Sequence, residues 1–206
     1  MTGRKTMDRA AVAAWDRAAM AVCLGAGLAL LPAGTLRADG LFFKTDVSEN
    51  SVDTVGVMAR GPLTFGVNYS DYVGGHSVSL TATYALPLGD VATLRVGPSL
   101  GRAYGDGAEE DWRLGAKLAV DRYQTTGFGY VYLLGEYNTI DNDWYVGAQA
   151  GVPSGWGFEV SAGGSDAYDA RTVALTRRIG EGPVTLRAGY KLLAEEAFIG
   201  VSINTF

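Results

Sequence analysis

A two-residue alternation of apolar and polar side chains recurs along this chain in runs of about ten residues. In residues 77–86, SVSLTATYAL, one face holds Val78, Leu80, Ala82, Tyr84 and Leu86, and the other holds only serine and threonine. Two is the period of a β-strand. Beyond Asp39 no stretch of ten or more residues shows the 3.6-residue period of an amphipathic helix, so the sequence predicts an all-β fold.

The same alternation recurs in residues 63–70, 112–121 and 184–192. In each run an apolar face opposes one made of polar, charged or small residues. A run of about ten residues is the length that a tilted strand needs to cross the apolar core of a bilayer. The runs therefore predict membrane-crossing strands.

Turn signals rich in Gly, Pro, Asn and Asp divide the chain at regular intervals and bound eleven strands. Bacterial single-chain membrane barrels have an even number of strands. Residues 41–48 (LFFKTDVS) are therefore expected to supply a twelfth. The prediction is a closed antiparallel transmembrane β-barrel of about 12 strands, with 10 or 8 strands as alternatives.

The turns fall into two classes when they are numbered alternately from a periplasmic N-terminus. One class is short: RGP, LGD, TTG, PSG and GEGP. The other class holds most of the acidic residues: SEN, YVGG, GDGAEEDW, TIDNDW, GSDAYDA and LAEEA. Short periplasmic turns and longer external loops are typical of bacterial membrane barrels.

Residues 1–38 are expected to form a signal peptide that is removed after Ala38. Basic residues precede the apolar stretch 18–33, as in an export signal. The alternatives are a retained membrane anchor, for which the stretch is short, and a lipid attached to Cys23. Cys23 is the chain's single cysteine, so residues 39–206, the predicted barrel domain, would hold no disulfide.

The chain ends in EAFIGVSINTF, an amphipathic segment that closes on the aromatic residue Phe206. This ending and the alternating runs resemble the bacterial outer-membrane β-barrel superfamily across residues 39–206. The resemblance implies a place in the Gram-negative outer membrane, contact with its lipid, and recognition of the last strand by the barrel-insertion machinery. Ile199, Val201 and Ile203 are out of phase with Phe206, and a bulge near Asn204 would restore the register.

Aromatic residues near the predicted strand ends favour a membrane barrel over a soluble β-barrel or sandwich, whose apolar faces would point inward. Two belts of interfacial aromatics are expected, as in membrane barrels. Trp112 and Trp144 follow acidic loops, and the residues near the short turns are Tyr84, Tyr123, Trp156, Phe158 and Phe206.

If the apolar faces contact lipid, the opposite faces line the lumen. Eight charged residues are then predicted to point inward: Arg95, Arg113, Lys117, Asp121, Glu136, Glu159, Arg187 and Lys191. Five are basic and three acidic, which predicts a mildly positive lumen. They would either form ion pairs that fill a narrow barrel or line a channel that favours anions. The function expected is a small passive channel for small solutes, and the alternative is a non-conducting structural or surface-interaction barrel.

Other functions find little support in the sequence. The formal net charge of −5 disfavours nucleic acid as a partner. His76 is the only histidine and has no acidic residue beside it in sequence, so a hydrolase dyad, and with it a lipid-modifying enzyme, is less expected than a non-enzyme.

No cofactor or metal site is expected either. Neither CxxC nor HExxH occurs. The loop GDGAEED (105–111) lacks the ligand spacing of an EF-hand and would bind divalent cations at most weakly. The glycine-rich runs 101–107 and 155–164 lie between strand signals rather than before a helix, which excludes a nucleotide-binding loop.

Overall fold

A computed structural model of the protein describes residues 39–105, the backbone of 108 and 109, and residues 111–206. The predicted signal peptide, residues 1–38, and most of the side chains of the GDGAEED loop lie outside the described residues. The strands are β1 (Gly40–Ser48), β2 (Ser51–Arg60), β3 (Leu63–Tyr72), β4 (Gly75–Leu88), β5 (Ala92–Gly105), β6 (Ala108–Glu109), β7 (Arg113–Thr126), β8 (Gly129–Asn138), β9 (Asp143–Gly151), β10 (Trp156–Gly164), β11 (Asp169–Arg178), β12 (Val184–Lys191) and β13 (Glu196–Asn204).

The strands form one closed antiparallel barrel. Each pairs with its neighbours in the sequence, and β1 pairs with β13 to complete the ring. The two-residue β6 pairs only with the end of β5, so twelve strands make the wall. The all-β fold and the twelve-strand barrel predicted from the sequence are thereby confirmed. No helix in the described part of the chain is long and apolar enough to span a bilayer.

An even number of strands places both ends of the barrel domain on the same side. We call this side, which holds the start of β1 and the end of β13, the lower end; the short turns 61–62, 89–91, 127–128, 152–155 and 179–183 lie there. The acidic loops lie at the opposite side, the upper end. The separation of turn classes seen in the sequence is therefore a separation between the two ends of the barrel.

The barrel wall is apolar outside and polar inside. Leu80, Leu118, Leu186 and Ile199 point outward and are between 42% and 72% exposed. Inner positions such as Thr83, Ser99 and Ser202 are buried. On β1 and β2 the side chains of Thr45 and Thr54 take outward positions but are only 4% and 6% exposed, and their hydroxyls hydrogen-bond to each other at 3.1 Å, which satisfies both buried groups.

The register of the strands sets the width of the barrel. A path that passes from each residue to its paired partner once around the ring returns to β1 about 14 residues from where it started. This displacement is the shear of the barrel. Twelve strands with that shear are tilted by about 40° and give a backbone radius of roughly 11 Å.

Two expectations for aromatic residues need correction. Tyr123 pairs with Tyr132 and lies an even number of residues from the inward Asp121, so it belongs to the inner face and not to the outer belt. The β13 ladder runs without a bulge to Asn204. Phe206 lies beyond the ladder, and its ring occupies the space over the inward side of Gly40, where a Cβ would collide with it.

Candidate functional site

The lumen of the barrel gathers the charged residues of the chain into opposed pairs. All eight residues predicted to line it lie on inner-face positions, and each forms an ion pair with a residue of opposite charge. Among the eight, Arg95 pairs with Asp121, Lys117 with Glu136, and Arg187 with Glu159. The partners of the other two, Arg113 and Lys191, are Asp141 and Asp53.

The most enclosed group is a cluster on β1, β10 and β12. The Arg187 guanidinium donates from Nε to Asp46 Oδ1 at 2.8 Å and from Nη1 to Glu159 Oε2 at 2.8 Å. Nη2 donates to both carboxylates, at 3.2 and 3.1 Å. Lys44 Nζ lies 4.0 Å from Glu159 Oε1. Two cations and two carboxylates thus neutralise one another, as buried charges require.

Small residues make room for this central cluster. Asp46 is paired across the β1–β13 ladder with Gly200, and a Cβ at Gly200 would collide with the Asp46 carboxylate. Gly189 is likewise covered by the inward ring of Phe198. These inner glycines therefore give space to neighbouring side chains, and they do not leave gaps in the wall.

Two further pairs lie along the wall formed by β5, β7 and β8. Arg95 Nε is 2.7 Å from Asp121 Oδ1, and its Nη1 donates to Thr64 Oγ1 at 2.7 Å. Lys117 Nζ is 2.8 Å from Glu136 Oε1. Polar side chains continue the network, since Ser99 Oγ donates to Asn138 Oδ1 at 2.8 Å.

The upper end is narrowed by the turn between β8 and β9. Asp141 and Asn142 both have positive φ, the conformation of a tight hairpin turn in which Asp and Asn are favoured. The Arg113 guanidinium donates to both Asp141 carboxylate oxygens, at 2.5 and 2.6 Å. This bidentate pair holds Ile140 against the inner faces of Gly101 and Gly115.

A second loop is fastened to this turn. Asn142 Nδ2 donates to both Asp166 carboxylate oxygens, at 3.2 and 2.9 Å, and the Asp166 amide donates to the Asp141 carbonyl oxygen at 2.9 Å. The Tyr168 hydroxyl donates to Asp143 Oδ1 at 2.8 Å. Burial, and then the negative charge of Asp143, raise the pKa of Tyr168, so this phenol stays a donor at physiological pH.

Among the inner charges that sequence reasoning missed are Lys44, Asp46 and Asp53. Asp53 and Asp46 are direct partners on the inner face, and Lys191 Nζ lies 2.6 Å from Asp53 Oδ2. In LFFKTDVS, Lys44 and Asp46 are two residues apart and so lie on the same face of the strand. This alternation is the signal that could have identified them as inner charges. With these three residues and Asp141, the partner of Arg113, included, the basic and acidic groups number six each, and the positive excess that the eight predicted residues alone suggested is gone.

The outer belts carry aromatic rings paired with arginine. The Arg102, Arg171 and Arg177 guanidiniums lie over the rings of Trp112, Trp144 and Trp156, at 5.8, 5.4 and 5.0 Å from the ring centroids. Tyr84 and Phe158 also lie on the outer face, at 50% and 51% exposure. His76 lies on that face as well and stacks on Tyr104 with centroids 5.2 Å apart.

Comparisons with known proteins bear on the fold. Neither a protein-family model nor a curated protein sequence matches the chain. Among solved structures it is similar to the KdgM porin and to the KdgM porin in complex with disordered oligogalacturonate. Each has a TM-score of 0.50 at 10% identity, covering 81% of this chain and 99% of the other.

A looser similarity is to the translocator domain of the autotransporter NalP from Neisseria meningitidis. Its TM-score is 0.41 at 14% identity, covering 92% of this chain and 98% of the other. At 10% identity the KdgM comparison identifies the fold alone: the chain has the barrel fold of an outer-membrane porin.

Proposed function

We propose that the protein is a porin-like passive channel in the bacterial outer membrane. The observation that carries this proposal is a closed barrel with an apolar outer wall and a lumen lined by paired charges. Such a wall suits lipid outside and water inside. The fold shared with the KdgM porin supports it. The implied partners are outer-membrane lipid around the wall, the barrel-insertion machinery at β13, and small solutes in the lumen.

The barrel is wide enough for a narrow path. A backbone radius of roughly 11 Å exceeds that of the eight-stranded barrels that side chains just fill, and it is below that of the sixteen-stranded porins. Side chains from the wall take up part of this space, most of all in the cluster around Arg187. We therefore propose a pore for small solutes and not a wide aqueous channel.

The anion preference suggested by the eight predicted charges is weaker in our proposal. Each lumen cation among them has a carboxylate within ion-pair distance, and Asp46 and Asp53 add acidic charge that the sequence reasoning omitted. Paired charges cancel much of the field that would concentrate anions. The channel should therefore discriminate little between small anions and cations.

A second function, a non-conducting structural barrel, is favoured by one observation. The side chains of Arg187 and Asp46 are only 3% and 9% exposed, so the central cluster is almost fully enclosed. If this cluster filled the whole cross-section of the lumen, no solute could pass. The barrel would then stabilise the membrane or present its acidic loops to a partner.

Planar-bilayer recording on refolded protein separates the two functions. Folding is first verified by the change in gel mobility between unheated and heated samples. We expect small, reproducible conductance steps from the folded fraction only. Folded, inserted protein that gives no steps would contradict the channel and favour the structural barrel.

A further inference from the structure

One sector of the inner wall carries a row of tyrosines beside its charged residues. On β7, β8 and β9 the inward positions include Tyr123, Tyr130, Tyr132, Leu134 and Tyr145. Leu134 pairs with the inward Asp121, and Tyr145 pairs with the inward Glu136. The other three tyrosines lie an even number of residues from Leu134 or Asp121 on the same strand. From Tyr130 to the level of Tyr145 is six residues of strand, or about 20 Å. The tyrosines thus form a stripe that climbs from the lower end into the barrel.

The rings of this stripe lie along the wall. A Cβ built on Gly147 would be 2.7–3.0 Å from the hydroxyl, Cε1 and Cζ atoms of Tyr145, and one on Gly151 would overlap the ring of Tyr130. A ring that covers a glycine in this way has one face against the backbone. Both tyrosines are partly exposed, so part of each ring remains accessible from the lumen.

At the lower end the stripe is continuous. The Tyr123 and Tyr130 rings stack with centroids 5.6 Å apart and planes 23° apart. Tyr123 is 61% exposed, so its ring is accessible to a solute that enters from this end. Above the pair, Tyr132 lies opposite Gln149, whose carboxamide adds a hydrogen-bond donor and acceptor beside the ring.

The remaining polar groups of this sector are already committed to one another. Asp121 pairs with Arg95, and Glu136 pairs with Lys117. A charged solute would have to compete with these pairs. A neutral solute would use only what they leave: aromatic faces, and the free lone pairs of carboxylate and amide oxygens as acceptors.

We infer that the tyrosine stripe is a binding track for neutral carbohydrate. A pyranose ring has an apolar face of C–H groups, which stacks on an aromatic ring, and a rim of hydroxyls, which donate to carboxylate and amide oxygens. A row of stacking surfaces over about 20 Å suits a short oligosaccharide that steps from ring to ring. This inference rests on the proposed channel, and it names the class of solute for that channel.

The test is block of ion current by added sugar, measured on refolded protein in planar bilayers. Maltose, maltotriose and maltohexaose are the neutral probes, and oligogalacturonate is the acidic probe. We expect saturable block that strengthens with the length of the neutral sugar. Tyr123→Leu and Tyr132→Leu should each weaken the block roughly three- to tenfold. Tyr132→Phe, which keeps the ring, should preserve most of it.

Tyr190→Leu is the matched control because Tyr190 faces outward on β12, and it should leave the block unchanged. Conductance without saturable block by neutral sugars, block by the acidic probe alone, or block that survives both leucine substitutions would overturn the binding track and leave the channel intact. Absence of conductance from folded protein would overturn the channel itself, and the track with it.

Discussion

Asp46 and Arg187 are 141 residues apart in the chain and share two hydrogen bonds inside the barrel, at 2.8 and 3.2 Å. Gly200 allows this contact, because the Asp46 carboxylate occupies the space of its missing side chain. The strands that carry the three residues, β1, β12 and β13, include the pair that closes the ring. The ion pair therefore fastens the closure between the first and last strands.

Gly200→Ala should destabilise the barrel. The added Cβ would collide with the Asp46 side chain and approach the Thr45 carbonyl oxygen, and overpacking of this kind costs about 1–3 kcal/mol. Urea unfolding in phospholipid vesicles measures the free energy. Gly135→Ala is the control, since nothing lies within 4 Å of a Cβ at that position. Equal stability of the two variants would show that Asp46 is not confined as described.

The Asp46–Arg187 pair should show strong energetic coupling. Removing one partner leaves the other charged and enclosed. The losses of stability in Asp46→Ala and Arg187→Ala should therefore add up to more than the loss in the double variant. We expect an interaction free energy of about 1–3 kcal/mol from the double-mutant cycle. The more exposed pair Arg171–Asp169, at 3.6 Å, should couple by less than about 1 kcal/mol. Additive effects at Asp46 and Arg187 would argue against the pair.

The two faces of the wall should respond differently to a new charge. Leu118 and Leu186 face outward at 45% and 51% exposure. Arginine at either position should cost about 2–4 kcal/mol in lipid vesicles, because the charge meets hydrocarbon. Thr81→Arg, on the inner face of β4, should cost less. A similar cost on both faces would mean that the assignment of the faces is wrong.

Charge selectivity should appear when the central carboxylates are removed. Asp46→Asn combined with Glu159→Gln leaves Lys44 and Arg187 without the carboxylates they contact. Reversal potentials should then shift toward anion permeability. The shift should shrink between 0.1 M and 1 M salt, as the Debye length falls from about 10 Å to about 3 Å. Asp169→Asn, on the outer face, is the control. Strong anion preference in the unmutated channel would contradict a charge-balanced lumen.

The fold was predictable from the sequence because one face of most strands is apolar, as in SVSLTATYAL. Strand β8, GYVYLLGEYN, behaves otherwise: Tyr130, Tyr132 and Leu134 face inward, so both of its faces are largely apolar. Hydrophobicity therefore does not show which face of β8 points inward, and the tyrosine stripe could not be predicted from the sequence for that reason.

The pairing of the charges was not predictable in the same way. Arg187 contacts Asp46 on β1 and Glu159 on β10, neither of which neighbours β12 in the barrel. Such contacts depend on the register of several strands and on the curvature of the wall, and no local pattern records them. Tyr123 is a different case, since its phase relative to Asp121 already placed it inside.

The most direct measurement is thiol labelling at two adjacent positions of β9 in living cells. Cys23 is the only cysteine of the chain, so Cys23→Ser gives a background without thiols. In that background Gln149→Cys faces the lumen and Ala148→Cys faces outward. We expect a membrane-impermeant methanethiosulfonate to label Gln149→Cys from outside the cell and to leave Ala148→Cys unmodified. Labelling of Ala148→Cys instead, or of neither position in folded protein, would contradict a water-filled lumen open to small solutes.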